Sequence, residues 1–329
     1  MAARRRAATK RGRLQGASVL NQRSAQPLAT TNGSAGRGER IGVRKTYKLY
    51  IGGAFPRTES GRAYAIYGAK GELLANASRG TRKDIREAVR AARKAQPGWA
   101  GKTAYNRSQI LYRIAELMEG RRDQFVAEVI AAEGISRPRA AKDVDAAIDR
   151  WVWYAGWADK YTQLIGTVNP VSGSYFNFSV PEPTGVVGVI APESSSLLGL
   201  VSRLAPAVVS GNAAVVIASE RRPLPAVTLT EVLATSDVPG GVVNLVTGLR
   251  RELVGHLAGH MDVNGLDAFG ASPDEATTLE EVAVENVKRF VRPPAAGLDR
   301  YDWRAPEAES PYFIGEFVEV KTVWHPIGA

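Results

Sequence analysis

The chain of 329 residues has no cysteine. That absence excludes disulfides, thiolate metal sites and a thiol nucleophile from its own chemistry. It also lacks any apolar run approaching the roughly 20 residues that a membrane-spanning helix needs, so a cytoplasmic rather than a membrane location is expected. Acidic residues are scarce in one region only. Residues 1–48 hold 12 Lys or Arg against the single acid Glu39, whereas the rest of the chain holds 31 basic and 32 acidic residues. The formal charge of +10 therefore belongs to the leading segment, and the nearly neutral body makes no case for a nucleic-acid surface.

Bulky apolar residues are also few in residues 1–46, which are rich in Arg, Ala, Ser, Gly and Thr. This composition predicts a disordered basic tail. Such a tail serves as a solvated terminus, as an organelle-targeting segment, or as a tether to nucleic acid or an acidic partner. Arg4, Arg5 and Arg6 are not followed by an apolar h-region, which argues against a secretory signal.

What the remainder does contain is a globular pattern, with 44% hydrophobic residues overall. A short strand, Leu49-Tyr50-Ile51, leads into turn-rich sequence up to about Gly80. Thr81 then offers an N-cap to a helix carrying Ile85, Ala88, Val89 and Ala92, which Pro97 and Gly98 are expected to stop. Amphipathic spacing predicts helices over 104–119, from Asp123 to before Gly134, and over 140–164, the last with Trp151, Tyr154 and Trp157 as core aromatics. Two extended runs, 167–171 and 175–180, flank Ser172-Gly173-Ser174 and predict a hairpin. Beyond them, continuous apolar strands over 185–190, 213–217 and 242–246 alternate with helices over 197–210 and 224–235. Strands apolar on both faces, joined by helices, predict a doubly wound parallel sheet.

Several segments in this order resemble the aldehyde dehydrogenase superfamily. Lys48 to Phe55 (KLYIGGAF) resembles the family's opening strand, and Tyr154 to Lys160 (YAGWADK) closely resembles a helix segment. Pro181 to Gly188 looks like the EPxGVVG entry to the cofactor domain. Leu204 to Ala207 with Gly211-Asn212 looks like LAPALAxGN, and Gly240 to Gly248 resembles PGVVNVVTG. The resemblance implies an α/β fold: a Rossmann-like cofactor domain with N-terminal helices, a catalytic domain, and a small oligomerisation sheet.

It also implies site positions, and many of them depart from the family pattern. Ser194 in Pro192-Glu193-Ser194 stands where the family has its oxyanion-binding Asn, and Glu193 replaces an aromatic neighbour. The ribose-binding KPxE motif reads Ile217-Ala218-Ser219-Glu220, so only Glu220 persists and Ile217 has nothing to donate. The phosphate-facing GSTxxG loop reads Gly270-Ala271-Ser272-Pro273-Asp274-Glu275, whose carboxylates are expected to repel a phosphate. Glu285 is a faint match to the general base. No segment resembles the catalytic domain, and Gly315 to Trp324 resembles the closing YTEVKTV strand.

The expected organisation is a tail (1–46), an N-terminal helical part (47–165), an oligomerisation hairpin (166–180) and a Rossmann-like part (181–292). A linker in place of the catalytic domain (293–314) and an oligomerisation strand (315–329) complete it. The expected role is that of a catalytically inactive structural or regulatory subunit, forming homo-oligomers or hetero-oligomers with an active aldehyde dehydrogenase. No cofactor is expected beyond weak NAD(P) binding. The alternatives are an NAD(P)-binding oxidoreductase-like protein with chemistry supplied in trans, and nucleic-acid or acidic-partner tethering through the tail.

Other residues read as structural. His256 and His260 lie four apart, but Leu257 stands where a zincin needs its Glu and no third ligand is apparent, so no metal is expected. His325 follows the closing strand as an interface residue. Ser194, Ser195 and Ser196 lack a nucleophile-elbow pattern and read as a loop.

Overall fold

The computed structural model describes residues 43–328. Most of the expected tail therefore lies outside the described residues.

The described chain opens with β1 (Thr46–Tyr47), β2 (Ala63–Tyr67) and β3 (Leu73–Ser78), which form a three-stranded sheet ordered β1-β3-β2. This sheet corrects the expectation of turns up to Gly80. Its strands carry Ala, Asn and Tyr in place of a β-branched run, and pairing of β2 with β3 holds them extended. Leu49-Tyr50-Ile51 is a crossing segment and not a full strand. Tyr50 bridges to Leu245 at the edge of the central sheet.

Helix α1 (Arg82–Ala100) begins with a capping box, in which the Thr81 hydroxyl and the Asp84 carboxylate each accept the other's backbone N–H. Asp84 also accepts the Thr58 hydroxyl at 2.7 Å, which ties the loop before β2 to the helix start. Pro97 falls in the last turn, so the helix runs past it to Ala100. Helices α2 (Ala104–Glu119), α3 (Arg122–Glu133) and α4 (Arg137–Trp157) follow. The single run expected over 140–164 is two helices, α4 and the short α5 (Tyr161–Ile165), with a break at 158–160. Trp151 and Tyr154 are fully buried core residues.

The centre is a five-stranded parallel sheet, as the alternating pattern predicts. It comprises β6 (Val186–Ile190), β7 (Ala213–Ile217), β8 (Val243–Val246), β9 (Gly265–Asp267) and β10 (Arg289–Val291), in the order β10-β9-β6-β7-β8. Side chains alternate between two cores. Val187 and Val189 pack with α4, α6 (Leu198–Val209) and α7 (Leu224–Leu233), whereas Val186 and Ile190 pack with α1, α8 (Arg250–Ala258) and α9 (Pro273–Ala283). Two covered faces explain why the strands carry no polar alternation.

A third sheet stands apart from these layers. It contains β4 (Thr167–Asn169), β5 (Tyr175–Pro183) and β11 (Val318–Pro326), ordered β11-β5-β4 and antiparallel throughout. In register, Val168, Phe178 and Val323 stand side by side on one face, with Phe176 and Val180 one step along β5. The opposite face carries a polar ladder. Asn169 donates to Ser179 at 3.0 Å, and Ser179 and Thr322 share a hydrogen bond of 2.9 Å.

Residues 293–314, expected as a linker, pack onto the body. Arg150 on α4, only 3% exposed, donates to the Trp303 and Ala308 carbonyls, to Glu309 at 3.1 Å and to Ser202 on α6 at 2.7 Å. Trp303 and Tyr301 cluster with Phe269, and Tyr154 donates to the Ser310 carbonyl. A short helix, α10 (Tyr312–Gly315), leads into β11. This strap covers the α4 and α6 surface that would otherwise meet water.

Candidate functional site

The connections locate a crevice. The chain steps outward from β6 to β7 to β8 and then returns to β9 on the other side of β6. The carboxyl ends of β6 and β9 therefore form a topological switch point, where the loops leave in opposite directions and a ligand crevice opens. Here it measures about 350 Å³ and is lined by Glu193, Ser194, Arg250, Ser272, Glu275 and Pro293 among others. Gly270 is required at its floor. A Cβ there would collide with the Ile190 carbonyl oxygen, so only glycine lets the β9 loop cross the end of β6.

The polar groups around the crevice are engaged with one another. Glu193 accepts the Ser219 hydroxyl at 2.6 Å and the Glu220 amide at 2.7 Å. Glu220 in turn accepts the Arg250 amide at 2.7 Å, which places a carboxylate on the N-terminal turn of α8. At the start of α9 the Ser272 hydroxyl accepts the Glu275 amide. The Arg250 guanidinium spans the opening. It donates to the Ala191 carbonyl at 3.0 Å, the Gly270 carbonyl at 3.2 Å and the Glu275 carboxylate at 2.7 Å, with Glu193 at 3.6 Å. Nearby, the buried Tyr64 hydroxyl is pushed above its ordinary value by burial and by Glu220 and Glu193.

The fold recurs in proteins of known structure. Aldehyde dehydrogenase from Bacillus cereus, solved as its NAD+ complex, superposes with a TM-score of 0.71 at 28% identity, over 75% of this chain and 50% of that one. HpcC from Thermus thermophilus gives a TM-score of 0.72 at 29% identity, over 75% of this chain and 48% of that one. In sequence, cytosolic aldehyde dehydrogenase 1 of Elephantulus edwardii is 32% identical over 250 residues, 74% of this chain and 49% of its own length. The aldehyde dehydrogenase family model matches residues 56–292. The chain belongs to the aldehyde dehydrogenase family. It spans about half the length of the curated relatives it matches.

Within that family frame, the expected site residues separate. Ser194 is exposed at the crevice rim beside Glu193. Ile217 closes β7 with its side chain wholly inside the core on the α1 side, so it presents nothing to a ribose. Glu220 does not line this crevice: it borders a separate pocket beside Tyr64, and its carboxylate serves α8. The expectation that the loop carboxylates repel a phosphate is modified for Glu275, which pairs with Arg250, whereas Asp274 is exposed.

Glu285 requires a correction. It lies exposed just before β10, and β10 runs parallel to β9 from Arg289 opposite Gly265. Glu285 is thus at the amino end of the strands, the far side of the sheet from the crevice, and cannot act there as a base. The residue that β10 delivers to the crevice is Pro293, which has no proton-accepting side chain.

The remaining candidates fall into structural roles. Ser196 donates to Glu133 at 2.6 Å, and Ser195 accepts the Gly199 amide as a turn of the loop. His256 and His260 share a groove with Arg82, Lys83 and Arg86, a setting that opposes a bound cation, and the His260 Nδ1 accepts the Asp262 amide. Burial holds His260 below the ordinary imidazole value. Sequence reasoning missed Arg250. Its only local signal is a cationic residue at the first position of a helix, where the macrodipole disfavours it.

These residues fit a dinucleotide poorly. One amide at the start of α8 and one at the start of α9 are already taken by Glu220 and Ser272, and Arg250 bridges the loops across the crevice.

Proposed function

We propose that this chain is a non-catalytic member of the aldehyde dehydrogenase family, acting as a structural or regulatory subunit. Two observations support the non-catalytic part. No thiol exists in the chain to form a thiohemiacetal, and the residue with which the chain leaves β10 for the crevice is Pro293, with Asp299 reaching it only further along. Loss of one oxyanion donor alone typically costs on the order of a hundredfold to a thousandfold in rate.

The subunit part rests on one observation, the uncovered apolar face of the β4-β5-β11 sheet. Val168 is 61% exposed and Phe176 45%, while the strap covers the face of α4 and α6. Such a face on a projecting sheet suits burial against another subunit. We take that subunit to be a catalytic aldehyde dehydrogenase or a second copy of this chain, in the cytoplasm. The described residues contain no helix long and apolar enough to cross a membrane.

Affinity capture from the native host with an internal tag that spares β11, followed by native mass spectrometry, tests the reading. The expected result is a stoichiometric complex with a cysteine-bearing aldehyde dehydrogenase or a homo-oligomer. A well-behaved monomer without a partner overturns it, as does NAD(P)-dependent aldehyde oxidation by the purified chain.

A further inference from the structure

Arg250 is 12% exposed and has acceptors from three separate parts of the chain. Its Nη1 donates to the Ala191 carbonyl after β6 and faces Glu193, and its Nη2 donates to the Gly270 carbonyl after β9 and to Glu275 in the first turn of α9. Two of these acceptors are main-chain carbonyls at strand ends that would otherwise turn toward the crevice. A planar fork with parallel N–H groups can join two carbonyls and two carboxylates at once, which an ammonium cannot. The main-chain amide of the same residue fixes Glu220 at 2.7 Å. One residue thus fastens the loops after β6, β7 and β9, the set that diverges at the switch point.

We propose that Arg250 is the resident cross-link between the loops of this crevice. A tethered guanidinium sits where a mobile ligand would otherwise join the two loops, and the crevice takes this group from its own chain in place of a dinucleotide. The charges agree with that assignment. Glu193, Glu220 and Glu275 are unfavourable neighbours for a pyrophosphate but suit a delocalised cation. The assignment holds whether or not the chain assembles with a partner.

Chemical rescue of the full-length chain tests it. Arg250→Ala is expected to melt on the order of 5–10 °C below the parent chain, because it leaves the Ala191 and Gly270 carbonyls and the part-buried Glu193 and Glu275 carboxylates without their cation. Millimolar methylguanidinium should restore part of that loss, whereas methylammonium, which has the charge without the fork, should not. If Arg250→Ala does not fold, Arg250→Lys gives the same reading, with a lower melting temperature that methylguanidinium cannot relieve because the lysine fills the space. The assignment is overturned if either variant melts with the parent, or if methylammonium rescues Arg250→Ala as well as methylguanidinium does. A rise in the parent's melting temperature with millimolar NAD+ or NADP+ also overturns it.

Discussion

Arg203 is 1% exposed, yet it holds two carboxylates. Its Nε donates to Asp267 at 2.8 Å and its Nη2 to Glu316 at 2.5 Å, with the guanidinium 4.4 Å from the Phe269 ring centre. Burial pushes Glu316 upward and Arg203 pulls it back down. Replacing Arg203 by Ala removes the cation and leaves both carboxylates stranded, so urea unfolding should show a loss of about 3–5 kcal/mol. The stranded acids can escape by taking up protons, so the loss should shrink as the pH is lowered from 8 toward 5. A constant penalty across that range would mean the charges are not what the arginine supports. Gly270→Ala belongs at the same scale. With the Ile190 carbonyl oxygen in the way of the new Cβ, the β9 loop must move, and we expect a clear drop in melting temperature by circular dichroism. None of this was legible from composition. Arginines 150, 203 and 250 look like surface residues in a one-dimensional pattern, and only packing reveals that their acceptors come from segments far along the chain.

At the scale of elements, the sequence was most informative where one periodicity held over many residues. Helices α1 to α4 and strands β6 to β8 follow from apolar spacing and from caps such as Thr81. Elements β2, β3, β9 and β10 did not, because the first pair carries mixed residues and the second pair is three residues long, too short for a period to register. The position of Glu285 failed for the same reason, since without β10 its end of the sheet is undefined. Strand β11 yields a titration prediction. The Arg289 side chain on β10 holds Glu319 below the usual glutamate range through hydrogen bonds of 3.0 and 2.9 Å. A depressed carboxylate stabilises the fold above its unfolded value of 4.5, and that contribution is lost as pH falls through the lower folded value. The pair is more than a third exposed, so screening limits it to at most about 1 kcal/mol. Arg289→Ala should therefore cost that amount at pH 7 and almost nothing at pH 3, measured as the difference in denaturant midpoint from the parent.

For the whole molecule, the charge distribution and the uncovered sheet make separate predictions. Removing residues 1–42 takes away most of the basic excess and should abolish retention on a polyanion column at low salt, leaving the melting temperature of the body unchanged. Retention that survives the deletion would place the basic surface on the body. The sheet itself imposes an order on synthesis. Its central strand β5 is made long before its neighbour β11, and the ion pair that closes them, Glu182 with Lys321, joins residues 139 positions apart. Until β11 emerges, a growing chain presents the open edge of β5 beside Phe176 and Phe178. An edge of that kind recruits any available strand. Strand β11 thus protects the nascent chain from mispairing, and the long separation from β5 is expected to make that sheet slow to close.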